Sequence, residues 1–136
     1  MLFKTLKILL IEEKEIEVVR LNKAISKEFK DYKIILAKNG NEALVILKSC
    51  LIDITLIDLN MSEPDGIEFL SSLKSNLKLK HIPIIILTAS KNDKDIKQCY
   101  KLGISGYLLK TLKYEDYEIK INTILRYWSL NEFIQK

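Results

Sequence analysis

Glycine and proline are scarce in this chain, with four and two among 136 residues, and there are only two cysteines. So few chain-breakers argue against a disordered or linker-like protein. Cys50 and Cys99 lie far apart with no CxxC spacing and no histidine beside them. That excludes a disulfide framework or a zinc knuckle and leaves free thiols, expected to be buried or half-buried. The single histidine, His81, precedes Pro83 in an expected loop and reads as an exposed loop residue, not a catalytic base. Arginine is limited to Arg20 and Arg126. The net charge of +4 therefore comes from scattered lysines set against 18 acids. Nucleic-acid binders cluster their cations and use arginine, so no nucleic-acid partner is expected. No apolar stretch approaches the roughly 20 residues of a membrane helix, and no membrane partner is expected. The start, Met1-Leu2-Phe3-Lys4, lacks the layout of a secretory signal, so a cytoplasmic protein is expected.

What the chain has is alternation. At 48% hydrophobic and 29% charged it reads as one globular domain over residues 1–136, with no effector domain. Five apolar runs rich in Ile, Leu and Val recur: Leu6–Ile11, Ile34–Ala37, Ile52–Asp58, Ile82–Thr88 and Gly106–Leu109. Continuous apolar character suits strands covered on both faces of a parallel sheet. Segments of helical spacing separate them. They run through Ile16, Val19, Arg20, Lys23, Ala24 and Ile25 towards Phe29, then Ala43 to Leu47, Ile67 to Leu73, and Ile96 to Leu102. A last helix is predicted over about 113–134. Asn39, Asp65 and either Asn92 or Asp93 are predicted N-caps, and Gly103 sits where a helix end takes a left-handed residue. Pro83 falls near the start of its strand, where a missing N–H is tolerated. Strict alternation predicts an α/β, doubly wound five-stranded parallel sheet with right-handed crossovers.

Several apolar runs end on chemistry. Glu12 and Glu13 follow the first, Asp58 ends the third, Thr88 the fourth, and Lys110 follows the fifth. In open α/β sheets ligands bind at the carboxyl ends of strands. Converging carboxylates repel unless a cation sits among them, and an oxygen-rich corner suits Mg²⁺. A carboxylate can also accept a phosphoryl group covalently. The charge on its oxygens then needs the metal, an ammonium and hydroxyl donors. Glu15 and Glu17 read as ordinary acids at a helix start.

The chain resembles a CheY-like response-regulator receiver domain. The matching pieces are ILLIEEK, DITLIDLNMSEPDG, IPIIILTAS and GYLLK, in order and over essentially the whole length. The ending around Arg126-Tyr127-Trp128 is similar to that of small stand-alone regulators associated with phytochrome-type kinases. The resemblance implies the flavodoxin-like (βα)5 fold with strand order 2-1-3-4-5. It also implies a phosphorelay receiver, not a turnover enzyme, that takes a phosphoryl group from a sensor histidine kinase or phosphotransfer protein. Asp58 would be the phosphoacceptor, and Glu13, Asp58 and the backbone carbonyl of Asn60 would ligate Mg²⁺, with Glu12 acting through water. Lys110 and Thr88 would meet the phosphoryl oxygens, and Thr88 with Tyr107 would form the switch. Output would be binding of a downstream protein on the fourth helix, fifth strand and fifth helix, a face that also suits a homodimer.

Three departures stand out. Both members of the acidic pair are glutamates, and Glu13 carries its carboxylate roughly 1.5 Å further than an aspartate would, so weaker metal affinity is expected. Thr111 follows Lys110 where the family has proline on a cis bond. Without proline that bond costs about 3–4 kcal/mol, so a trans, reshaped loop is expected. Ser62 and Pro64 alter the turn after Asp58, which Asp65-Gly66 is expected to preserve. Two other function classes compete. A pseudo-receiver would keep the fold as an unphosphorylated interaction module. An aspartyl-phosphate phosphatase would need a second acid two residues past Asp58, where Asn60 cannot donate a proton.

Overall fold

The structure, a computed structural model, describes residues 5–25, 32–61 and 65–134. Phe29 and the turn residues Ser62 and Pro64 lie outside them. Strands and helices alternate strictly: β1 (Leu6–Ile11), α1 (Glu15–Ile25), β2 (Tyr32–Ala37), α2 (Gly40–Ser49), β3 (Ile54–Ile57), α3 (Gly66–Ser75), β4 (Ile84–Thr88), α4 (Asp93–Lys101), β5 (Gly106–Leu109) and α5 (Tyr114–Ser129). All strand pairs are parallel, in the order β2-β1-β3-β4-β5. The expected α/β class and strand order are those of the molecule.

Period-two side-chain direction divides the core. Leu6, Ile8 and Leu10 of β1, Ile54 and Leu56 of β3, and Ile85 and Leu87 of β4 point to one face. There they pack with Leu21, Ala24 and Ile25 of α1 and Tyr117, Ile121 and Leu125 of α5. Leu9, Ile11, Ile57, Ile84 and Ile86 point to the other face, against Ala43 and Leu47 of α2, Phe69, Leu70 and Leu73 of α3, and Cys99 of α4. Both faces of the central strands are buried, which is why their sequences run apolar without alternation.

Helix starts follow the cap chemistry. The side chains of Asn39, Asp65 and Asn92 accept from the backbone N–H of Glu42, Glu68 and Lys94 at 2.9, 2.8 and 2.9 Å. Gly103 takes φ +95° just past α4.

Several boundaries depart from expectation. β3 and β4 each begin two residues later than their apolar runs: the chain bends at Asp53 before β3, and a turn occupies the chain up to Pro83 before β4, with the Ile82 N–H on the Leu79 carbonyl at 3.1 Å. β2 begins two residues earlier, at Tyr32. α5 stops at Ser129, not near 134: the side-chain amide of Asn131 takes the Tyr127 carbonyl at 2.7 Å, and Phe133 returns to stack on Trp128 with ring centroids 6.3 Å apart. α1 has a different phase from the one its spacing suggested. Ile16 and Val19 are exposed, while Leu21, Ala24 and Ile25 enter the core. Cys50 is exposed rather than half-buried, Cys99 is buried, and both are free thiols. His81 is half-buried.

Candidate functional site

A parallel sheet puts every strand's carboxyl end on one side, so one residue beyond each strand suffices to build a site. Glu12 follows β1, its N–H held by the Ala37 carbonyl at 3.0 Å. Asp58 follows β3, its N–H on the Ile11 carbonyl at 3.3 Å. Thr88 ends β4, and its carbonyl accepts the Lys110 N–H at 2.8 Å. Past Asp58 the chain must turn at once. Asp58 Oδ1 accepts the Asn60 N–H at 3.1 Å, which bends Asp58-Leu59-Asn60 away from the sheet. Gly66 then comes so close that a Cβ there would lie 2.5 Å from the Leu59 Cα. Only glycine allows that approach.

Lys110 is the centre of the corner. Its Nζ donates to Glu12 Oε1 at 3.0 Å and to Asp58 Oδ2 at 3.3 Å, and lies 3.5 Å from Glu17 Oε2. Glu12 and Asp58 are both buried. Burial pushes the Glu12 carboxyl above its usual range, opposed by Lys110 and reinforced by the negative charge of Asp58. For Lys110 burial works the other way, pushing the ammonium down. Asp58, Glu12 and Glu17 together outweigh it, and the net shift is upward. The lysine is thus held charged by three acids.

A second network adjoins this one. Thr88 Oγ1 accepts the Ser90 N–H at 3.3 Å, Tyr107 donates its hydroxyl to the Ser90 carbonyl at 3.0 Å, and Ser90 Oγ donates to Asp95 Oδ2 on α4 at 2.8 Å. The buried Thr88 hydroxyl is linked through Ser90 to both Tyr107 and α4. Burial raises the Tyr107 phenol above its ordinary range.

Of the residues picked out in the sequence, Glu12, Asp58 and Lys110 meet directly, and Thr88 and Tyr107 meet through Ser90. Glu13 is exposed. Among the described residues no three acids, histidines or cysteines stand close enough to hold a metal between them. The donor set nonetheless suits a hard divalent cation: three acids share one positive charge, and the buried Glu12 and Asp58 each keep further lone pairs. Sequence reasoning missed three residues: Glu17, Ser90 and Arg20. Arg20 donates from Nη2 to the Thr111 carbonyl and lies 4.0 Å over the Tyr117 ring, which pins the loop after Lys110 to α1. Correct phasing of α1 is the signal that would have found Glu17 and Arg20, since Leu21 and Ala24 place both at the edge of the buried face.

Residues 8–122 match the response regulator receiver domain family. The response regulator Rcp1 of Synechocystis sp. is 29% identical over 128 residues, covering 89% of this chain and 87% of that protein. The crystal structure of the phosphorylated cyanobacterial phytochrome response regulator RcpA superposes with a TM-score of 0.87 at 26% identity, over 96% of this chain and 99% of that one. The Mn²⁺-bound form of response regulator Rcp1 gives 0.85 at 27% identity, with the same coverage. The fold, the charged corner at the carboxyl ends of its strands and these likenesses agree: the chain belongs to the response regulator receiver domain family.

Proposed function

We propose that Asp58 is the phosphoacceptor of a two-component phosphorelay. A carboxylate oxygen of Asp58 attacks the phosphorus of a phosphohistidine on a sensor kinase or phosphotransfer protein. The P–O bond forms as the P–N bond breaks, and the departing imidazole nitrogen takes a proton. The observation that carries this reading is the half-buried Lys110 ammonium, 3.0 Å from the buried Glu12 and 3.3 Å from the buried Asp58. It is a fixed positive charge where phosphoryl oxygens would gather negative charge. Thr88 supplies a hydroxyl donor from the end of β4.

Mg²⁺ suits the oxygens of this corner. Asp58, Glu13 and the Asn60 carbonyl would hold it, with Glu12 acting through water, and when bound it neutralises charge on the phosphoryl oxygens. The Mn²⁺-bound form of Rcp1 supports a divalent ion here. Signalling follows from Ser90: a Thr88 hydroxyl drawn to the phosphoryl group gives up the Ser90 N–H, and Tyr107 and α4 are then free to settle differently. The changed face, α4, β5 and α5, would bind a downstream protein or a second copy of the chain. The protein stays in the cytoplasm and performs no steady turnover.

Exposure to acetyl phosphate with and without Mg²⁺, followed by intact-mass measurement, tests the reading. One phosphoryl group is expected on the wild type with Mg²⁺, and none on Asp58→Asn. The exposed Glu13 favours a second reading, an interaction module that is never phosphorylated. A wild type that stays unlabelled at any Mg²⁺ concentration, yet binds a kinase, would establish it.

A further inference from the structure

Lys110 meets one carboxylate more than a phosphate partner needs. Glu17 Oε2, on the first turn of α1, lies 3.5 Å from Lys110 Nζ, is shielded from water and makes no hydrogen bond. The ammonium has three N–H bonds. Two are given to Glu12 and Asp58, which leaves the third for Glu17. Glu17 cannot easily drift away, because α1 is tied to the loop after Lys110 by Arg20 on the Thr111 carbonyl and over Tyr117.

We infer that Glu17 is a positioning residue for the reaction at Asp58: it draws the Lys110 ammonium towards α1, and an incoming phosphoryl group must compete with it. The inference rests on the phosphoacceptor reading above. Two consequences follow from charge alone. Glu17 opposes entry of an anionic donor, and it sets where Lys110 stands before the donor arrives. Removing its charge while keeping its shape leaves Lys110 shared by two acids and freer to meet the phosphoryl oxygens. Glu15 is the natural control. It carries the same charge on the same first turn but is exposed to solvent.

The test compares wild type, Glu17→Gln and Glu15→Gln, each checked for folding by thermal unfolding. Initial labelling rates are measured against acetyl phosphate concentration. The Lys110 Cε–Hε NMR signals, assigned by their disappearance in Lys110→Met, are recorded alongside. Glu17→Gln is expected to lower the half-saturating acetyl phosphate concentration by roughly two- to fivefold, the effect of one partly exposed ion pair, and to shift the Lys110 signals. Glu15→Gln is expected to do neither. Unmoved Lys110 signals in a folded Glu17→Gln variant, an equal response from Glu15→Gln, or shifted signals with an unchanged half-saturating concentration would each overturn the inference. If the wild type takes no label at all, the phosphoacceptor reading fails, and the Lys110 signals alone decide whether Glu17 positions the ammonium.

Discussion

At the carboxyl ends of the strands Lys110 stands 3.0 Å from Glu12 and 3.3 Å from Asp58. At the opposite end of the same sheet lies a hollow of about 480 Å³ lined by Leu47, Ile52, Pro83, Trp128 and Phe133 together with Lys7, Asp53, His81 and Glu132. The strands between the two ends are alike, runs of buried Ile and Leu. What differs is the residue placed just beyond each run. At one end these are acids and a lysine, whose charges must be balanced within the site, and a threonine. At the other, Phe133 stacks back on Trp128, and the one acid just ahead of β3 is turned onto the backbone, Asp53 Oδ2 accepting the Lys7 N–H at 2.8 Å. Burying the charged groups costs desolvation, whereas the packed rings and aliphatic side chains of the other end contribute stability.

Substitutions at each end should separate these roles. The largest effect is expected of Lys110→Met. It leaves Glu12 and Asp58 buried without their cation, so labelling by acetyl phosphate should fall by roughly 100- to 1000-fold, and urea unfolding should show a loss of about 3 kcal/mol. Gly66→Ala is next. Its methyl group would press on the Leu59 backbone at 2.5 and 2.8 Å, and a loss of about 2–3 kcal/mol is expected, together with slower labelling, because the displaced segment carries Asp58. Trp128→Ala sharpens the contrast from the other end. It should cost about 2 kcal/mol in urea unfolding, less than a fully buried ring, while labelling rates stay within about twofold of wild type, within the spread expected of sites that do not couple.

Two smaller effects probe the balance of charge and the switch. Tyr107→Phe removes the hydroxyl bond to the Ser90 carbonyl and should cost about 1 kcal/mol. Labelling of Asp58 should survive, and any mass-action effect should appear only in binding of a downstream partner. Lys110 gives the smallest effect, through pH. Its folded pKa lies above the ordinary 10.5 because the three acids outweigh burial. Its contribution is therefore fully present below pH 10.5 and is lost as pH rises through the folded value. The stability gap between wild type and Lys110→Met should hold up to that pH and narrow above it.

Much of the fold was legible because its signals are local. β1 and β5 coincide with their apolar runs, and Asn39, Asp65, Asn92 and Gly103 act as the caps their chemistry suggests. The strand ends carrying Glu12, Asp58, Thr88 and Lys110 were legible for the same reason: each closes or follows an apolar run, and a parallel sheet gathers those ends on one edge. What depended on three-dimensional packing was not legible. α1 carries apolar residues on more than one side, so its spacing admitted two phases. The structure buries Leu21 and Ala24 and leaves Ile16 out. That phase also turns Glu17 inward, where the sequence offered only an acid at a helix start. The approach of Gly66 to Leu59 and the return of Phe133 onto Trp128 join segments whose meeting no local pattern encodes.

The central claim concerns one carboxylate, and a peptide map tests it most directly. Wild-type protein exposed to acetyl phosphate and Mg²⁺ is reduced with borohydride, which converts an aspartyl phosphate to homoserine, and is then digested and sequenced by mass spectrometry. Homoserine is expected at position 58 and at no other acid. Homoserine at another position, or no conversion while Mg²⁺ is bound, would contradict it.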